Sequence, residues 1–219
     1  TVAGTLSREE GKDVNTYQIL QGSVTDENNP NYAITFVGNT YTIYRRPITV
    51  TAIDTGHTYG DPEAPLCFDS GDIAEGDILQ GTPEREAGDA YRPEGYAITQ
   101  GSVTDANNPN YRITFVNGTY RIYKRSLAVY PEVYTKTYGD PDPAFAQVVD
   151  GIPGEQVEVT FSAGGVSRAG TYPLISVSAD DTNYSVYIPE GAEADKYIIN
   201  RRPITVTAIA AGHIFGDAD

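Results

Sequence analysis

The chain repeats itself, and the repeat decides how much of it must fold at once. Arg46, Arg125 and Arg202 mark the same place in three copies, 79 and then 77 residues apart. Tyr59-Gly60-Asp61-Pro62 returns as Tyr138-Gly139-Asp140-Pro141 and again as Phe215-Gly216-Asp217-Ala218. A period of about 78 residues is too long for a solenoid coil, whose repeats run to roughly 20 to 50 residues, and suits a small domain in tandem. Residues 1–45 then read as the C-terminal half of a copy, 46–124 and 125–201 as complete copies, and 202–219 as the opening strand and turn of a further one. With no initiator Met and with ends that cut through copies, the chain reads as an excerpt of a longer one.

Within a copy the signals are those of strands. Ile48-Thr49-Val50-Thr51-Ala52-Ile53 is a β-branched run, and Pro47 is acceptable at its start, where no ladder donor is needed. Tyr96-Ala97-Ile98 is a second strand, and Asn107-Asn108-Pro109-Asn110 is turn chemistry. The stretch Tyr111 to Tyr130 carries β-branched and aromatic runs on both sides of Asn117-Gly118. That dipeptide tolerates the positive φ angles of a type I′ turn, so a two-residue hairpin is expected there. Tyr32 to Ile53 and Tyr184 to Ile209 repeat the arrangement, the last with a longer acidic tip at Pro189 to Asp195. Residues 70–94, rich in Gly, Asp and Glu, read as loops broken by short strands. No apolar period of 3.6 is sustained over ten residues. The expected class is all-β: small tandem β domains in an elongated array, with at most one or two helical turns after Tyr-Gly-Asp-Pro.

A formal charge of −15 and a pI of 4.4 argue against nucleic acid and anionic membrane surfaces, because such partners need a basic footprint. No run of 18 apolar residues and no signal-peptide pattern is present, so no membrane insertion of this segment is expected. The single cysteine, Cys67, allows no internal disulfide. In Pro65-Leu66-Cys67-Phe68, with Ala146 at the same place in the next copy, it reads as a small core residue and not as a nucleophile.

The remaining candidates point away from chemistry. His57 and His213 occupy equivalent places, and Lys136 stands there in the copy between, which a catalytic base or zinc ligand would not permit. Both read as exposed strand residues. Asp69, Asp72, Glu75 and Asp77, like Asp180-Asp181, lack the spacing of a calcium loop and read as solvated. No paired carboxylates in a cleft are indicated. Catalytic, cofactor and metal residues are therefore all expected to be none, and the protein no enzyme. Six of the fifteen basic residues, Arg45, Arg46, Lys124, Arg125, Arg201 and Arg202, lie in pairs between copies, where they are expected to fix the angle of one copy to the next. Seventeen tyrosines read first as strand residues and second as binding anchors. Asn117-Gly118-Thr119 and Asn183-Tyr184-Ser185 fit a glycosylation sequon only weakly.

The order Arg-Pro-Ile-Thr-Val-Thr-Ala, Tyr-Gly-Asp-Pro, Arg-Glu-x-Gly, Gly-Tyr-x-Ile, Asn-Tyr-x-Ile-Thr-Phe-Val and Thr-Tyr-x-Ile resembles the MBG repeat domain of the YGX type, found in large bacterial surface proteins and fibrillar adhesins. The resemblance implies mostly β stalk modules related to the β-grasp, on an extracellular chain at the cell surface or wall, with no catalytic residues to carry over. The expected function is a stalk segment that projects a binding domain from the cell. The alternative is that the copies themselves bind host glycan or protein, through Pro189 to Asp195 or exposed tyrosines. Expected partners are the neighbouring repeats and, because an incomplete copy leaves an open sheet edge, a second molecule joined head to tail by strand complementation.

Overall fold

The computed structural model describes residues 1–215, which hold strands, turns and loops and no helix. Two compact units divide the chain, Thr1–Tyr123 and Lys124–Asp219.

The first unit begins with the half copy, which forms β1 (Ser7–Arg8), β2 (Asn15–Leu20) and β3 (Asn39–Ile43) in one antiparallel sheet of that order. The complete copy adds β4 (Arg46–Ala52), β5 (Thr55–Thr58), β6 (Phe68–Asp69), β7 (Glu84–Arg85), β8 (Tyr96–Thr99), β9 (Tyr111–Val116) and β10 (Gly118–Tyr123). Its frame is a parallel pair. β4 lies beside β9 from Arg46↔Tyr111 to Thr51↔Val116, and β5 beside β10 from Thr55↔Tyr120 to Thr58↔Tyr123. The partner lies 65 residues onward throughout, so this is one pairing with a bend in the middle. Parallel strands need a long crossover, and here residues 59–110 supply it with loops and short strands. β6 adds antiparallel to β4, while β8 and β7 extend the other sheet from β10.

The hairpin expected at Asn117-Gly118 is therefore absent. β9 and β10 follow one another with Asn117 alone between them, yet they belong to different sheets. Neither Asn117 nor Gly118 has a positive φ, which a type I′ turn requires at both positions. Each arm has a better partner in the long parallel pair than in the other arm. Gly118 serves a close approach instead, since a Cβ there would stand 3.0 Å from both Cβ and O of Ala52. Asp54 Oδ1 holds the bend by accepting the Thr119 N–H at 2.7 Å.

Alternation along β4 turns Ile48, Val50 and Ala52 inward and the threonines out. Ile48 and Val50 join Leu79, Val103 and Tyr111 in one apolar cluster; Ala52 joins Tyr96, Ile98, Tyr120 and Ile122 in another, and Phe115 packs against both. Burying a side chain such as Val50 contributes about 1.5–3 kcal/mol.

The second unit is built from β11 (Arg125–Ala128), β12 (Tyr134–Thr137), β13 (Ala146–Asp150), β14 (Gln156–Ser162), β15 (Gly170–Tyr172), β16 (Ser176–Ala179), β17 (Tyr184–Tyr187) and β18 (Tyr197–Asn200). The parallel frame recurs as β11 beside β17 and β12 beside β18, with β15 antiparallel to β18. Here too the expected long-tipped hairpin is absent, because β17 and β18 lie in separate sheets. Pro189 to Asp195 is a turn-rich connection between them, and Asp195 carries a φ of 55°. The middle of this copy departs from the other. β13, β14 and β16 form an antiparallel sheet of their own, in which Val157, Val159 and Phe161 of β14 face inward.

Two stretches that share sequence with these strands are not strands. Residues 32–37 repeat β9, and residues 202–208 repeat β4, yet both are irregular. This corrects the expected first hairpin and the expected opening strand of a further copy. A strand without a neighbour is not stable in water, and each of these lacks the parallel neighbour that its counterpart has. The last Gly-Asp of the sequence pattern, at 216–217, lies outside the described residues.

Candidate functional site

The tyrosines hold each copy closed. Tyr111 donates from its phenol to Asp77 and accepts the Ala74 N–H at 3.0 Å. In the second unit Tyr184 does the same with Glu155 Oε2 at 2.7 Å and the Ile152 N–H at 2.9 Å. Tyr120, fully buried, accepts the Ala64 N–H at 2.9 Å, and its O–H stands 2.8 Å from His57 Nδ1. Its counterpart Tyr197 instead donates to Asp142 at 2.5 Å, and Lys136 pairs with that carboxylate, also at 2.5 Å. The two copies balance charge differently at this point. In the first unit Arg85 supplies the cation, pairing with Glu63 and lying 5.0 Å over the Tyr120 ring. In the second, Lys136 takes over from the position His57 holds.

The Tyr-Gly-Asp turn closes the far end of each parallel pair. Tyr59 N–H donates to Tyr123 O at 2.9 Å, and Tyr138 N–H to Asn200 O at 2.8 Å. Gly60 and Gly139, at φ 81° and 88°, make the left-handed step that lets Asp61 and Asp140 bond back to Thr58 and Thr137.

Inside the first unit, half copy and complete copy meet without a linker. β3 ends at Ile43 and β4 begins at Arg46. Asn110, from the Asn-Asn-Pro-Asn turn, clamps the two together: its Oδ1 accepts the Val14 N–H at 2.8 Å and its Nδ2 donates to Asp13 Oδ1 at 2.9 Å. Arg45 reaches Asp105 at 3.5 Å across the same seam, and Arg46 pairs with Asp72 at 2.6 Å within its own copy. Exposed pairs of this kind contribute at most about 1 kcal/mol each, so they set direction more than stability. Two residues earlier, Asn108 is 5% exposed and fully used, accepting from Gln80 N–H at 2.7 Å and donating to Gln80 O and Thr104 O at 2.9 Å. Asn29 repeats that pin in the half copy, on Ala3 and Thr25.

The family model of the MBG domain (YGX type) matches residues 1–42 and 48–121. The chain belongs to the MBG family. MBG domains are repeat domains of bacterial surface proteins. No curated protein and no solved structure matches the chain. The match ends inside the first unit, yet the parallel frame and the tyrosine bonds of the MBG copy recur in the second unit at corresponding places. Among the described residues of this MBG chain no helix is long and apolar enough to cross a membrane.

The other candidate residues are scattered over the MBG copies. His57 is half-buried on β5 and bonded to Tyr120, not exposed as its sequence suggests, while His213 is exposed in the irregular tail. Cys67 is exposed and not in the core. Leu66 and Phe68 on either side both pack inward, and strand alternation turns the residue between them to solvent. Among the described residues no three acidic, His or Cys side chains converge as a metal group. Asp69 caps Gly71 N–H at 2.9 Å, Asp72 pairs with Arg46, and Asp77 with Tyr111. Pro189 to Asp195 borders an open groove of about 670 Å³ with Leu174, Val177, Val186 and Tyr187.

Burial above all pushes the phenols of Tyr111, Tyr184 and Tyr197 above their ordinary 10.0, and the carboxylates Asp77, Glu155 and Asp142 add to it; the N–H bonds from Ala74 and Ile152 at Tyr111 and Tyr184, and Lys136 at Tyr197, partly oppose this. A pKa raised on folding means stability that is complete below the unfolded value and lost as pH climbs through the folded one. Thermal melts followed by circular dichroism are expected to stay flat from neutral pH to about pH 9 and to fall steeply beyond pH 10. A melting temperature unchanged at pH 11 would contradict the buried-phenol account.

Proposed function

We propose that this segment is part of a non-enzymatic stalk of a bacterial surface protein, holding a binding domain away from the cell. The observation that carries the reading is the junction at Ile43 to Arg46. One copy's last strand passes into the next copy's first within three residues, and Asn110 fastens the seam from the side. A chain of domains joined by short, clamped connections resists bending, whereas a Gly- or Ser-rich linker would act as a free joint. The acidic surface suits this role, because like charge keeps neighbouring stalks apart and soluble. The tyrosines support it as well: the deeply buried ones spend their phenols on their own copy.

Small-angle X-ray scattering tests the proposal. The expected maximum dimension of chains carrying increasing numbers of copies grows in proportion to copy number, and Asn110→Ala shortens the apparent persistence without unfolding either unit. A dimension that grows as the square root of copy number, as for freely jointed domains, would sink the stalk reading.

A further inference from the structure

β17 gives one edge to β11 and leaves the other open. The two strands make a sheet of their own. Along it the Arg125 N–H donates to Asn183 O at 2.9 Å and the Val129 N–H to Tyr187 O at 2.8 Å. A parallel ladder engages every second residue of a strand, so Ser185 and Tyr187 face β11 while Val186 turns its N–H and C=O to the opposite side. Among the described residues neither group has a hydrogen-bond partner.

The same place is closed in the other copies. The Ile113 N–H, at the position of Val186, donates to Asp105 Oδ1 at 2.8 Å, and the Ile34 N–H donates to Asp26 Oδ1 at 2.7 Å. Asp105 precedes Tyr111, and Asp26 precedes Tyr32, by six residues. Six residues before Tyr184 stands Ser178, whose hydroxyl is bonded to Thr160 Oγ1 at 2.8 Å in the β13–β14–β16 sheet. A charged side chain on an edge blunts it against an added strand, and β17 lacks that protection.

Beside the open edge runs the groove of about 670 Å³. β16 packs next to β17 but shares no ladder bond with it. Leu174, Ile175 and Val177 line the groove from one strand, and Val186, Tyr187 and Ile188 from the other. Ile175 is 64% exposed and Tyr187 51%. Glu190 and Glu193 also line it, and among the described residues neither pairs with a cation. All of these residues lie within the complete copy at 125–201, so the opening belongs to the copy itself.

We propose that the open edge of β17 takes up an extended segment of another polypeptide as an added strand. The Val186 N–H and C=O supply ladder bonds, and alternate side chains of the segment lie in the groove against Ile175, Val177 and Val186, which selects aliphatic residues. Glu190 and Glu193 select a lysine or arginine where the segment reaches the 189–195 loop. A chain of charge −15 also attracts a basic segment from a distance. The proposal stands apart from the stalk reading, since a stiff or a freely jointed chain would carry the same edge.

An NMR titration of the full 219-residue chain, followed at its backbone amides, tests this with synthetic peptides. The first is Lys-Val-Thr-Val-Thr-Val with blocked ends, the second carries Glu in place of Lys, and the third is the first with every backbone nitrogen methylated. The lysine peptide is expected to bind with a dissociation constant of about 1 mM or tighter and to shift the amides of Val177, Val186 and Ile188. The glutamate peptide binds about tenfold more weakly, the worth of two surface ion pairs, and the methylated peptide, which cannot form a ladder, does not bind. Glu190→Lys combined with Glu193→Lys changes only surface charge and reverses the preference between the two charged peptides. Any of four results overturns the proposal: no binding of the lysine peptide at about 1 mM, shifts confined to other parts of the chain, equal binding of the methylated peptide, or a preference that the double variant leaves unreversed. So does cellotetraose shifting these amides while the peptides leave them unmoved, which would make the groove a sugar site.

Discussion

Replacing Tyr120 with alanine is expected to lower the stability of the first unit by about 3–5 kcal/mol, the cost of deleting a large aromatic side chain from a closed core. The ring is fully buried among Ala52, Tyr96, Ile98 and Ile122, and Arg85 covers it. Its oxygen also satisfies the Ala64 N–H and faces His57 Nδ1. Tyr120→Phe separates the two contributions. It keeps the ring and removes the oxygen, which leaves a backbone donor without its acceptor and costs about 1–3 kcal/mol. Since His57 is half-buried, water can replace part of the lost bond, and the lower end of that range is expected. Urea unfolding followed by far-UV circular dichroism reads both, with the second unit's transition as an internal reference. An alanine variant within 1 kcal/mol of the parent would mean that the two sheets close without this ring.

Gly81→Ala is expected to cost about 2–3 kcal/mol or more, although it adds a single methyl. Gly81 has a φ of 114°, which side-chain-bearing residues avoid. Its added Cβ would press on the Ser102 carbonyl oxygen and stand 2.7 Å from Val103 N. Those are backbone atoms and cannot swing aside, for the Ser102 N–H donates to Thr82 O at 3.0 Å while Ser102 Oγ accepts the Thr82 N–H at 2.9 Å. Gly4 faces Ser23 in the same way in the half copy and is expected to behave alike. Thermal melts of both variants check this, and an unshifted midpoint would show that the Gly-Thr/Gly-Ser crossing relaxes freely.

Local alternation was readable in the sequence, and partner choice was not. Ile48, Val50 and Ala52 declare β4 because their period is local and their inward face follows from it. Asn117-Gly118 looks like a turn for the same local reasons, but which strand lies beside Tyr111 to Val116 is settled 65 residues away, where no neighbouring residue carries a mark. Likeness between the copies gives no sign of β13, β14 and β16, because the first unit has no such sheet. The alternation Val157, Val159, Phe161 was the signal available. Residue type across copies suggests a core place for Cys67, but Leu66 and Phe68 both point inward and leave it exposed between them. While Tyr59 and Tyr138 sit in the Tyr-Gly-Asp turns, most of the tyrosines are strand residues, as their β propensity suggests. That their phenols reach Asp77, Glu155, Ala64 and Asp142 depends on loops brought back over the sheet, which no spacing in the sequence announces.

The parallel frame has one more consequence, which concerns tension. A pull on the chain enters a complete copy at Arg46, the start of β4, and leaves at Tyr123, the end of β10. Because β4–β5 and β9–β10 run side by side in the same direction, the two ends are drawn along the strands in opposite senses, not peeled apart from one end. The six registered pairs before the bend and the four after it then share the load together, and none can open alone ahead of the rest. The second unit is laid out the same way, with four pairs on each side of its bend. Under traction each copy behaves as a lap joint and not as a zip.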